Sequence, residues 1–83
     1  MARSLAELNT QRNALVEYLR KNTLDINAHE KLASNLFDTA RLIESDPRFQ
    51  NQRGRDVLEE TLVRLKNVKA TIDLLKGVNR NQE

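Results

Sequence analysis

Apolar residues in this chain recur every three or four positions in three successive blocks, a spacing that belongs to packed helices rather than strands. In the first block Leu5, Leu8, Leu15, Val16 and Leu19 share about one third of a helical wheel. The second block places His29, Leu32, Leu36, Phe37, Ala40 and Ile43 on one stripe, and the third does the same with Leu58, Leu62, Leu65, Val68, Ile72 and Leu75. Start and stop signals fall between the blocks. Ser4 followed by Glu7 has the form of a capping box, and Asp25 or Asn27 can cap the second helix. Ser45-Asp46-Pro47 ends it, because the residue before a proline resists helical geometry, while Pro47 can open a new turn with Asp46 as its cap. The segment Gln50–Gly54 is poor in packing residues, which predicts a short turn over 47–52 that breaks or bends before Gly54. Gly77 suits a left-handed C-cap, followed by a flexible tail over 78–83.

These signals predict one all-α domain over 1–83, with helices at about 4–21, 26–45 and 56–76. The expected architecture is a small antiparallel three-helix bundle, or an extended helical hairpin with a short first helix. Its core is expected to hold Leu15, Leu19, Leu32, Leu36, Ile43, Leu58, Leu62, Leu65, Ile72 and Leu75.

Size then bears on function. A chain of 83 residues buries only roughly 60–65% of its unfolded surface, so it gains from covering more of itself with a partner. It has no cysteine and one histidine, which removes disulfides, thiolate nucleophiles and thiolate zinc sites. No H-x-x-x-H or E-x-x-H pair is present, and two isolated glycines make no phosphate-cradling loop. A non-enzymatic protein is expected, with no metal, no cofactor and no small-molecule substrate. The net charge is +2 and no segment carries a strong field of one sign, so nucleic acid is not demanded. Arg3, Glu7 and Arg12 interrupt any signal-peptide core, and no apolar run approaches the roughly 18–20 residues of a membrane span. A cytoplasmic location without membrane contact is the expectation.

What remains is surface. Ala70 and Leu74 each lie within about 20° of Val63 on a helical wheel, nearly opposite the main stripe of the third helix. A helix at the edge of a bundle needs only one apolar stripe, so this second strip is expected to meet another protein, either a different partner or a second copy. Arg12 interrupts the apolar face of the first helix and must snorkel, pair with an acid such as Asp38 or Glu44, or face an intermolecular seam. Val63, Ala70, Leu74 and Arg12 are therefore the candidate partner-binding residues of an interaction module: an adaptor, assembly subunit, small chaperone or stoichiometric inhibitor. The alternative is a nucleic-acid-associated protein. Its candidate residues are Arg48, Phe49, Arg53 and Arg55, where arginines could contact phosphates and Phe49 could stack on an unpaired base.

His29 is read as a core or interface residue. The string Ala28-His29-Glu30-Lys31-Leu32 resembles the phosphoacceptor stretch of histidine-phosphotransfer domains over these few positions only. The Lys-Gly pair that typically follows the histidine in that family is missing, with Leu32-Ala33 in its vicinity.

Overall fold

The computed structural model describes residues 4–81, and they form a three-helix bundle without strands. Helix α1 spans Leu5–Lys21, α2 spans Ile26–Ser45 and α3 spans Gln52–Asn81. A single 3-10 turn, Pro47–Phe49, lies between α2 and α3. At about 1.5 Å per residue the 30 residues of α3 measure roughly 45 Å, which accounts for most of the 49 Å long axis. Helix α2 runs back along α1 and is itself lined by α3; α1 and α3 do not pack extensively on each other.

Each start is set by a short polar side chain. Ser4 Oγ accepts from the Glu7 N–H at 3.1 Å and begins α1. Between the two candidate caps of α2, Asp25 takes the role: Oδ1 accepts from the Ala28 N–H at 3.1 Å. Its other oxygen accepts from the Tyr18 hydroxyl at 2.6 Å, so one carboxylate fastens the end of α1 to the start of α2. The Tyr18 bond and then the Ala28 amide hold the Asp25 carboxyl below its ordinary range, and the same contact pushes the Tyr18 hydroxyl up.

Pro47 opens the 3-10 turn under Asp46, whose Oδ1 accepts from the Arg48 N–H at 2.9 Å. Asn51 then caps α3, its Oδ1 accepting from the Gly54 N–H at 2.8 Å. The chain does break before Gly54, but α3 begins at Gln52 rather than near 56 and runs through both glycines. Gly77 has no positive φ and ends nothing; residues 78–81 continue the helix backbone, and 82–83 lie outside the described residues. Gly54 serves as a contact instead. A Cβ built there would lie 1.8 Å from the Phe49 carbonyl oxygen, so the absence of a side chain lets the 3-10 turn lie directly on the first turn of α3.

Leu19, Ala28, Leu32, Leu36 and Leu65 form the central cluster, with Leu15, Val16, Ala33 and Val68 packed against it. Leu8 and Leu36 are the largest side chains to be almost wholly enclosed. On α3 the inward line is Gly54, Leu58, Thr61, Leu65, Val68, Ile72 and Leu75, an unbroken alternation of four- and three-residue steps. That line corrects one core expectation. Leu62 is 47% exposed, because the repeat gives its place to buried Thr61, whose hydroxyl donates to the Val57 carbonyl at 2.8 Å. Phe37 is also exposed, with the Arg41 guanidinium 5.8 Å from its ring centroid.

Candidate functional site

The α3 side turned away from the bundle carries the strip that the sequence pattern singles out. Val63 is 53% exposed and Leu74 71% exposed, and Ala70 between them is exposed as well. Leu62, displaced from the core, adds a further apolar side chain to the same region. Together with half-buried Leu58, Leu62 and Val63 line a shallow depression of roughly 350 Å³ on the helix surface. Arg55, Glu59 and Lys66 complete its lining, so an apolar floor is rimmed by charges of both signs. An apolar centre with a polar rim is the usual composition of a protein-binding patch.

Arg12 sits elsewhere, in the seam between α1 and α2. Its guanidinium donates to Asn35 Oδ1 at 3.1 Å, to Thr39 Oγ1 at 2.9 Å and to Asn9 Oδ1. Neither Asp38 nor Glu44 reaches it; among the described residues the ion pairs are Arg20–Glu17 and Arg48–Asp46. Neutral oxygens satisfy the cation instead. Burial, and then the charge of Arg64, lower the Arg12 pKa. Buried Asn35 completes the network by donating to the Leu8 carbonyl and to Gln11 Oε1, each at 2.9 Å. Among the described residues no buried side-chain nitrogen or oxygen is left without a partner.

The basic segment does not gather into one surface. Arg48 is held by Asp46 at 2.6 Å and lies 5.9 Å from the centroid of Phe49, which is half-buried. Arg53 and Arg55 are two positions apart on α3 and project in nearly opposite directions. His29 is half-buried, and its Nε2 donates to the Thr23 carbonyl at 2.8 Å, closing the α1–α2 loop. Among the described residues no three His, Cys, Asp or Glu side chains cluster as a metal site would need, and no helix is long and apolar enough to cross a membrane.

The sequence pattern marks Val63, Ala70 and Leu74 but misses Leu62, because an apolar residue in step with its neighbours reads as core. The strict repeat through Gly54 and Thr61 was the signal that could have separated it. Comparison with protein-family models, curated proteins and solved structures finds no match to this chain.

Proposed function

We propose that the protein is a non-enzymatic protein–protein interaction module that works through the outer face of α3. The observation that carries this reading is the exposed Leu62–Val63 pair over a shallow apolar depression, on a helix whose opposite side already serves the core. Covering the exposed half of each side chain contributes roughly 1 kcal/mol apiece. Further affinity would come from ordering the rim charges Arg55, Glu59 and Lys66 against opposite charges. Such a surface suits an adaptor, an assembly subunit or a stoichiometric inhibitor, each of which acts by occupying another surface rather than by transforming it.

The test is affinity capture by the full chain, quantified by mass spectrometry, comparing the wild type with a Val63→Glu/Leu74→Lys double variant. Both positions are exposed, so the variant keeps its helical circular dichroism. Loss of specific captured proteins, or of self-association, supports the reading. Unchanged capture and unchanged solution mass overturn it.

A further inference from the structure

The charges along this face have an order that selects a partner. From the N-terminal end of α3 the exposed strip reads Arg55, Glu59, the apolar pair Leu62 and Val63, Lys66 and Asp73. In sign this is plus, minus, apolar, plus, minus. Turned end over end and laid on itself, the strip sets each charge near an opposite one. Laid parallel, it sets like on like. None of these four charged residues makes an ion pair within the chain among the described residues.

Helix geometry places the symmetry point. With about 100° and 1.5 Å per residue, Glu59 and Lys66 lie roughly 5 Å on either side of the midpoint between Leu62 and Val63. Both sit within about 10° of one line along the face, with Leu62 and Val63 about 50° to either side. A two-fold axis through that midpoint brings Glu59 opposite the partner's Lys66, and Lys66 opposite the partner's Glu59. Leu62 meets the partner's Leu62 on one flank, and Val63 meets the partner's Val63 on the other. Arg55 comes within one helical turn of the partner's Asp73 on the Leu62 flank. The α3 core line centres about 140° round the helix from this face, with Leu58 at its near edge.

We infer that the occupant of the α3 outer face is a second copy of this chain, docked antiparallel about a two-fold axis between Leu62 and Val63. The inference rests on the interaction reading above and names its partner. Its carrying observation is a self-complementary charge order around a paired apolar centre, which makes an isologous contact. A contact confined to about five turns of one helix belongs to the small, reversible class of interfaces, so assembly depends on concentration.

Sedimentation of the full chain over a concentration series tests it. The wild type passes from monomer to dimer as concentration rises. Glu59→Lys and Lys66→Glu each place like charges across the axis and weaken self-association at least about tenfold. Mixed together, these two variants complement each other and form a one-to-one heterodimer close to wild-type affinity. Orientation is read independently, because the chain has no cysteine. Glu59→Cys and Lys66→Cys variants cross-link with each other under oxidation and each poorly with itself, which also serves if a charge variant fails to fold. The inference is overturned if the wild type stays monomeric to about 1 mM, well above the range of small reversible interfaces. It is equally overturned if charge reversal leaves the dimer intact, or if the mixed variants do not recover it. A monomeric wild type that still captures another protein, with capture lost in Val63→Glu/Leu74→Lys, removes the second copy and keeps the interaction reading. Monomer together with unaffected capture removes both.

Discussion

Replacing a helical glycine with alanine ordinarily stabilises a protein, and Gly54 is predicted to do the reverse. Interior Gly→Ala gains about 1 kcal/mol in helix propensity, and Gly54 lies in the first turn of α3, inside the helix and without a positive φ. A backbone-only view therefore predicts a gain. The added methyl, however, would stand 1.8 Å from the Phe49 carbonyl oxygen and 2.7 Å from its Cα. These are backbone atoms of a turn held by Pro47 and Asp46, so relief means moving the whole turn off the start of α3. Overpacking of this kind costs typically about 1–3 kcal/mol, and the upper part of that range applies where no flexible side chain can yield. Set against the propensity gain, the net is about 1–2 kcal/mol of destabilisation, or about 5–15 °C in Tm for a domain of this size. Gly77→Ala is the control. Its Cβ meets nothing within 4 Å, so it should raise Tm or leave it unchanged. Thermal melts by circular dichroism at one protein concentration check both. A Gly54→Ala variant as stable as Gly77→Ala would refute the argument that close approach, rather than turn formation, is why glycine stands at 54.

Asn35→Ala removes the amide that bridges Arg12, Leu8 and Gln11, leaving a part-buried guanidinium short of an acceptor; urea unfolding should report a loss of about 2–3 kcal/mol. Thr61→Val should be neutral or stabilising by about 0.5–1 kcal/mol, since the hydroxyl donates only to a carbonyl of its own helix and the added methyl faces the core. Asp25 and Asp46 have folded-state pKa values below the ordinary 3.8, so their contribution is complete above that value and is lost as pH falls through the lowered ones. Melting temperature should accordingly fall in acid, and Asp25→Asn should flatten part of that slope. At the alkaline end the raised Tyr18 hydroxyl gives the opposite sign: its contribution is present below pH 10 and lost above it, a step absent in Tyr18→Phe.

Periodicity and capping chemistry made the helices readable from the residues alone, and α1 and α2 begin and end within a residue of their expected limits. Both signals are local, and the structure uses them as local physics dictates. Errors gather where a neighbour outvotes the residue. Leu62 is more apolar than Thr61, yet the geometric repeat along α3 turns Thr61 inward, and the cost of burying a hydroxyl is removed by its bond to Val57. Gly54 reads as part of a break before the third helix until the turn lying on it is known. Arg12 reads as a cation that must snorkel, pair with an acid or face a seam between molecules, whereas neutral acceptors hold it: Asn9 on its own helix, and Asn35 and Thr39, 23 and 27 positions away. Polar residues spaced through α2 give no sign of facing inward before α1 is laid beside them. At the candidate site, Val63, Ala70 and Leu74 are visible as apolar residues out of step with the core repeat; the depression beside them depends on Leu62.

Helix α2 packs against both of its neighbours, and the core it makes with them is common to all three helices. Its seam with α1 carries the Arg12 and Asn35 hydrogen bonds, and Leu65 and Val68 of α3 pack into the same apolar cluster as Leu15, Val16 and Leu19 of α1. Leu19 of α1 and Leu65 of α3 share one cluster with the α2 leucines, so loosening α1 also opens the inner side of α3. A contact on the far side of α3 is therefore tied to α1 through a core the two helices share, rather than shielded from it.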